Sequence, residues 1–315
     1  MSRRAKIGSG VLVVLLALFL VISWYFAGLV ITPHRVAIAD SEVWLAERNG
    51  IPYEEQMAPF GEPQPFSVTG ERDVEIKGWF FDNSAECAVI IAHGWSSNRL
   101  GSQKFMSTFW DLGCDVVVYD HRGHGESGGE YGTAGNLEKL DLLTVTDWVS
   151  AETSLPRSKI GWHGTSWGAA TAIQAAALDN EIAFAIADSS FKDWETAIAE
   201  RAIRDFGNPV KIFIGSSMSM AGMRTGTTYK TGSPYLAASD IEVPVLLIHS
   251  TTDLQTDSQQ SAEIFSQLDP AISVFHHTEW GARHGRDIDV RPDEYRALVY
   301  DFIDIYVGEF GNTGR

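Results

Sequence analysis

Gly164-Thr165-Ser166-Trp167-Gly168 follows a strand-like stretch at 159–163 and opens an Ala-rich, helix-like one at 169–178. A G-x-S-x-G pattern between strand and helix holds its serine on a sharp turn. Glycines on either side let the backbone and the helix pack closely, while the hydroxyl is pushed out above the sheet. The next backbone N–H, that of Trp167, lies at the helix N-terminus, where a developing oxyanion is stabilised. The pattern alone is weakly specific. The strand before it, the helix after it and an acid and a histidine further on make it strong.

Outward from this turn the chain alternates between two periods. Residues 88–92 and 115–119 are the apolar runs that a strand buried on both faces needs. Residues 103–112 read as a helix, and so do 137–151, with Leu140, Leu143, Val145 and Trp148 at helical spacing. Beyond the pentapeptide come a strand at 182–187, a strand at 243–249, a helix at 258–268, a strand at 272–277 and a helix at 293–307. Residues 66–69 and 74–81 read as a strand pair joined at Gly70-Glu71-Arg72-Asp73. Strands alternating with helices predict an α/β fold: a mostly parallel, eight-stranded sheet with helices on both faces. Residues 191–235 break the alternation with helix-like and Gly/Ser/Met-rich pieces and read as a short helical insertion.

A serine hydroxyl is a weak nucleophile until a base takes its proton and a carboxylate orients that base. In a strand-turn-helix setting the partners follow in the order acid, then histidine. Asp253 lies just past a predicted strand, at the edge where functional groups collect in open α/β sheets. Asp257, which also reads as a helix cap, and Asp188, past the preceding strand, compete with it. Of the later histidines, His276 and His277 fall at a strand end and read as structural. His284 sits in Trp280-Gly-Ala-Arg-His-Gly285, where two glycines let the loop place an imidazole over Ser166. His34, His93, His121, His124, His163 and His249 precede the acid and fit that order poorly. An oxyanion needs two donors. The Trp167 N–H is one, and the Trp95 N–H, in His93-Gly94-Trp95-Ser96-Ser97, is the candidate for the other. The two indole rings read as packing or pocket wall.

Together, His93-Gly94-Trp95, Asp120-His-Arg-Gly-His-Gly-Glu-Ser127, residues 164–168, Pro244-Val-Leu-Leu-Ile-His-Ser-Thr-Thr-Asp253 and the His284 loop resemble the α/β-hydrolases. The likeness is to the serine-aminopeptidase-like, membrane-anchored hydrolases of broad esterase type. It implies a serine hydrolase that cleaves carboxylic esters or thioesters through Ser166, His284, Asp253 and an acyl-enzyme, with no metal or cofactor. A serine at 166 excludes the members with an aspartate nucleophile. Ser250 departs from the glycine that many relatives carry after the histidine, and Arg122 and Glu126 read as loop supports. Two other readings stay open. One is a serine peptidase or amidase, for which Glu195, Glu200 and Asp205 offer acidic groups without a clear arrangement. The other is a non-catalytic, membrane-anchored binding protein on a hydrolase scaffold.

The 315 residues, 44% of them hydrophobic, suffice for one large α/β domain. A net charge of −17 argues against nucleic acid as a partner, because phosphate binding needs clustered Lys and Arg. No Cys/His spacing suggests a zinc site. Residues 7–31 carry no charge. As a helix they run roughly 37 Å, longer than the ~30 Å hydrocarbon core. Arg3, Arg4 and Lys6 precede the run and only Arg35 follows closely, which puts the N-terminus in the cytoplasm and the large domain outside. An uncleaved anchor is expected. A cleaved signal is the alternative, with Ala37-Ile38-Ala39 as its cleavage pattern. The organisation is then a basic tail at 1–6, an anchor at 7–31, a tether at 32–61 and a hydrolase domain at 62–310 with a lid at 191–235. The expected substrate is a small-molecule or lipid ester. Met218, Met220 and Met223 are candidates to line an acyl pocket, against a plainer reading as insertion core. Cys87 and Cys114 open two predicted strands. They are expected as separate buried thiols, with a disulfide as the alternative outside the cytoplasm.

Overall fold

The computed structural model describes residues 3–311, with side chains from Ser9 on. The described residues include eight strands: β1 (Gln64–Thr69), β2 (Glu75–Phe81), β3 (Ala88–Ala92), β4 (Asp115–Tyr119), β5 (Ile160–Thr165), β6 (Phe184–Asp188), β7 (Val245–Ser250) and β8 (Ser273–Thr278). They form one sheet in the order β1-β2-β4-β3-β5-β6-β7-β8. β2 is antiparallel to β1 and to β4, and every other pairing is parallel.

Among the described residues three α-helices precede the sheet, α1 (Arg3–Ile31), α2 (Ile38–Asn49) and α3 (Tyr53–Met57). Threaded between the strands are α4 (Gln103–Asp111), α5 (Glu138–Thr153), α6 (Trp167–Ala176), α7 (Trp194–Phe206), α8 (Lys211–Thr225), α9 (Pro234–Ala237) and α10 (Gln259–Phe265). The chain closes with α11 (Asp287–Val290) and α12 (Pro292–Phe302).

The central strands are buried on both faces because successive side chains alternate sides. Ile90 and Ala92 join Trp162, Ala172 and Leu247 in one core, under α5, α6 and α10. Val89 and Ile91 join Phe105, Phe109 and Phe302 in the other, under α4 and α12. Each large apolar side chain so buried contributes about 1.5–3 kcal/mol.

Cys87 and Cys114 form a disulfide, with Cα atoms 4.8 Å apart. This corrects the expectation of two separate thiols. Parallel pairing sets Ala88 opposite Asp115, so the residues just before them meet.

Residues 32–61 are packed against the domain rather than strung beside it. The buried Asn98 amide donates to Val36 O, Ala37 O and Ser41 Oγ. The Arg35 guanidinium donates to the carbonyls of Gly125, Ser127 and Gly129.

α1 is apolar over Ser9–Ile31, with a mean hydropathy of 2.6. By length and composition it can cross a membrane as an anchor or serve as a signal sequence. Residues 9–18 are exposed, and from Phe19 on the helix packs on the domain. Phe19 stacks on Phe213 of α8 with ring centroids 5.2 Å apart, and Ser23 Oγ lies 2.7 Å from Ser216 Oγ. Ala27, Val30 and Ile31 are buried with Trp167, Trp194 and Met218.

Candidate active site

β5 ends at Thr165, α6 begins at Trp167, and Ser166 makes the turn between them at φ 55°, ψ −108°. A left-handed φ is costly for a residue with a Cβ and persists only where packing enforces it. The enforcement is steric. A Cβ on Gly164 would overlap the Gly168 carbonyl, and one on Gly168 would overlap the Ala92 carbonyl. Strand and helix therefore meet backbone to backbone, and the Ser166 N–H is held by Asp188 O at 2.8 Å.

Three side chains from distant parts of the chain converge there. His284 Nε2 lies 2.7 Å from Ser166 Oγ, and His284 Nδ1 lies 2.6 Å from Asp253 Oδ2. The His284 loop turns on two glycines of positive φ, Gly281 at 72° and Gly285 at 57°. Its far end is fixed by a buried chain of polar groups. Lys104 Nζ donates to Gly285 O. Gly285 N donates to Ser189 Oγ at 3.0 Å, Ser189 Oγ donates to Asp188 Oδ1 at 2.8 Å, and Tyr295 OH donates to Asp188 Oδ2 at 3.2 Å. His163 Nε2 meets that phenol at 2.9 Å. Burial, and then the Lys104 charge, push His163 down to about 3, so its imidazole is neutral.

Asp253 carries more bonds than an orienting acid needs for one imidazole. Its Oδ1 accepts from the N–H groups of Gln255 and Thr256 at 2.7 and 3.2 Å. Its Oδ2 accepts from His284 and also from His249 Nε2, at 3.0 Å. Burial alone would push this carboxyl up. The hydrogen bonds from His249 and His284 outweigh it and hold Asp253 well below the usual carboxylate range. His249 precedes Asp253 and does not fit the base's place in the chain order, yet it bonds the acid itself. The available signal was its position four residues before Asp253, at the end of the same strand.

The competing residues are occupied elsewhere. Asp257 Oδ1 accepts from Gln259 N at 2.9 Å, at the start of α10, and His277 Nε2 meets Ser258 Oγ at 2.7 Å. Arg122 is bidentate to the buried Asp141, and Glu126 bonds Arg99, which also holds Asp120.

The loop after β3 lies against the serine, since a Cβ on Gly94 would stand 3.6 Å from Ser166 Cβ. A buried cluster of histidines fixes it. His93 Nε2 accepts from the His121 N–H at 3.0 Å, while the His121 ring donates to His93 O at 3.1 Å. The Trp95 and Trp167 rings meet with centroids 4.4 Å apart.

Ser166, His284, Trp95 and Trp167 open on a cavity of about 770 Å³, within the range of roughly 300–1,000 Å³ usual for ligand sites. α8 contributes Phe213, Ile214 and Ser217 to its wall. Met218, Met220 and Met223 do not line it, which corrects their assignment to an acyl pocket. Phe213, Ile214 and Ser217 share one face of the helix, whereas Met218 is turned into the core with Ala27 and Val30 of α1, and Met223 is exposed.

Asp287, just past this loop, gives a pH test of the region. Its Oδ1 accepts from Thr278 Oγ1, and its Oδ2 has no partner among the described residues. Burial, and then the nearby Asp188 charge, push it up to about 6. An acid raised in the folded state binds more protons there than in the unfolded chain. Its ionisation therefore costs stability as pH climbs from ~4 to ~6, and the cost persists above that. Asp287→Asn should stabilise the fold at pH 7.5, on the order of 1 kcal/mol, and change it little at pH 4.5. Urea unfolding at the two pH values checks this, and an equal shift at both would refute it.

A serine on a strand-to-helix turn, with an imidazole between it and a carboxylate at the carboxyl edge of this sheet, defines an α/β-hydrolase. The profile of the prolyl oligopeptidase family matches residues 102–309, and the chain belongs to that family. Its relatives include the uncharacterized protein YqkD of Bacillus subtilis, 30% identical over 248 residues, which are 77% of this chain and 80% of the relative. The uncharacterized YfhR of Escherichia coli K12 is 26% identical over 76% of this chain and 82% of its own. Among solved structures, the Pyrococcus furiosus esterase Pf2001 aligns with a TM-score of 0.66 at 25% identity, over 81% of this chain and 94% of that one. A Pyrococcus horikoshii acylaminoacyl peptidase shares the fold, with a TM-score of 0.61 at 19% identity over 82% of this chain and 44% of that one. The protein is a serine hydrolase.

Proposed function

We propose that this protein hydrolyses carboxylic esters, with Ser166 as nucleophile, His284 as base and Asp253 as the acid that orients it. The observation that carries the reading is the unbroken line from the Ser166 hydroxyl through His284 to Asp253, at 2.7 and 2.6 Å. Asp253, held ionised, keeps the Nδ1–H of His284 pointed at itself and Nε2 free to accept. Ser166 Oγ attacks the carbonyl carbon as its proton passes to Nε2. The oxyanion is stabilised by the N–H groups of Trp95 and Trp167. The acyl–oxygen bond breaks as the imidazolium protonates the departing alcohol. Water then attacks the acyl-enzyme by the same route and releases the acid.

Ester is favoured over peptide because the insertion offers little to hold a substrate ammonium. Glu200 bonds the Gln260 amide, and Asp205 pairs with Arg201 and Arg204. The full chain should turn over p-nitrophenyl butyrate with a kcat/KM at least a hundredfold above that for alanine p-nitroanilide. The opposite order would transfer the protein to the peptidase reading.

α1 is read as an uncleaved anchor with the hydrolase domain outside the cytoplasm. The basic residues ahead of it and the Cys87–Cys114 disulfide, a bond of oxidising compartments, support that side.

His249 is a positioning residue in this scheme. His249→Phe removes one donor from the Asp253 carboxylate, a charge-assisted bond worth roughly 1.5–3 kcal/mol. The variant should lose about tenfold in kcat with little change in KM, since ~1.4 kcal/mol is one decade. A less fully bonded carboxylate attracts the imidazole proton more strongly, so the acid limb of the pH–rate profile should move to higher pH. A fall in stability with an unmoved pH profile would reduce His249 to a structural part.

A further inference from the structure

The cavity above Ser166 has two unlike walls, and one of them belongs to the anchor helix. Phe26, Leu29 and Val30 of α1 line the same space as Ser166 and His284. The level at which a bilayer meets this wall follows from α1 itself. Trp24 and Tyr25 are 53% and 62% exposed and stand where the apolar span passes from its exposed part to the part packed on the domain, a place suited to interfacial aromatics. Phe19 lies five to six residues deeper, about 8 Å at ~1.5 Å per residue. α8 runs alongside in the same direction, with Phe19 on Phe213, Ser23 on Ser216 and Trp24 under Arg224. The start of α8 therefore reaches below the interface, while the end of α7, where Phe206 packs on Phe26 at 5.2 Å, lies at its level. Apolar side chains are exposed there, Phe206 at 55% and Ile212 at 67%, beside the exposed charges of Arg204, Asp205 and Lys211. Interfacial helices bury an apolar face by ~5–10 Å in this manner. Phe26, Phe206 and Phe213 also line the cavity, so it extends from the serine to the level of the interface.

The other wall is cationic in a chain of net charge −17. Arg48, Lys104, Arg201, Arg204 and Arg286 line the cavity. Two carboxylates answer these five cations. Asp289 serves Arg48, Lys104 and Arg286, and Asp205 serves Arg201 and Arg204. Three polar groups on lining residues, the indole N–H of Trp167 and of Trp194 and the Ser217 hydroxyl, are buried without a partner among the described residues. Unpaired buried donors are costly in a finished interior and suit a site that receives acceptor oxygens.

We infer that the substrate is an anionic lipid ester taken from the leaflet on the domain's side. Its acyl chain enters between α1, α7 and α8, and its anionic head group lies against the arginines of α2, α7 and the His284 loop. This rests on the esterase and anchor readings above. The bond broken is the same acyl–oxygen bond, and the products are a fatty acid and the deacylated lipid alcohol.

The test uses the full chain reconstituted in vesicles. The natural cysteines are paired, so Ile212→Cys and, separately, Leu15→Cys each carry one free thiol for a polarity-sensitive dye. Oleate release from dioleoylphosphatidylglycerol and from dioleoylphosphatidylcholine vesicles is measured beside hydrolysis of p-nitrophenyl butyrate. Both dyes should report lipid. The phosphatidylglycerol should be cleaved at least tenfold faster than the phosphatidylcholine, and the Arg201→Gln/Arg204→Gln double variant should lose that preference. A water-exposed dye at 212 with a lipid-embedded one at 15, butyrate turnover without oleate release, or equal rates on the two lipids in the native protein would each overturn the inference while leaving anchor and esterase standing. A water-exposed dye at 15, or no butyrate turnover, would bring down those readings and the inference with them.

Discussion

Ser166→Ala should lower the turnover of p-nitrophenyl butyrate roughly a million-fold and abolish labelling by a fluorophosphonate, while the circular dichroism stays as it was. The size of the loss follows from how the three groups act. In the proposed mechanism the hydroxyl attacks only as His284 takes its proton, and the imidazole acts as base only with that hydroxyl 2.7 Å away, so removing one disables the unit. The fold should not notice. The turn at Ser166 is enforced by the backbone approach of Gly164 and Gly168, and alanine keeps the same Cβ. Residual activity would come from the oxyanion donors and binding alone. Undiminished turnover or continued labelling would remove Ser166 from the mechanism and revive the reading as a binding protein.

Asp253→Asn is the second large effect, a drop of about ten-thousandfold in kcat. The carboxylate accepts from two backbone N–H groups on one oxygen and from two imidazoles on the other. An amide has one accepting end. If its oxygen faces the imidazoles, its NH2 faces the N–H groups of Gln255 and Thr256. If it turns over, it confronts His249 and His284. Either way a donor meets a donor in a buried site, and in the second orientation the tautomer that leaves His284 Nε2 free to accept also loses its support. The melting temperature should fall along with kcat, because the same four bonds hold the loop after β7. A kcat within tenfold of the native value would show that Asp253 is not the orienting acid.

Different parts of this molecule were legible in the sequence to different degrees, for physical reasons. The strands at 88–92 and 115–119 are apolar end to end because both faces are covered, and that requirement is written into consecutive residues. The turn at Ser166 is likewise local, because its two glycines stand where any Cβ would strike a carbonyl. The disulfide was not local. Cys87 and Cys114 become neighbours only through the register of β3 on β4. His249 shows a different limit, since chain order ranks candidates for one role and is silent about a second partner bonded to the acid.

The insertion shows the limit most clearly. Its composition offered methionines for a pocket, and the helix turned Phe213, Ile214 and Ser217 to the cavity instead, with Met218 in the core and Met223 exposed. The sequence by itself determined the alternation of elements, the strained serine and the apolar span, since each depends on neighbours within a few residues. Only the tertiary structure decided which face of α8 meets the cavity, which histidines reach Asp253 and that the apolar span forms a wall of the site. Apart from His249, four residues from Asp253, those outcomes depend on contacts between segments tens to hundreds of residues apart, where packing and register, rather than local preference, choose the partner.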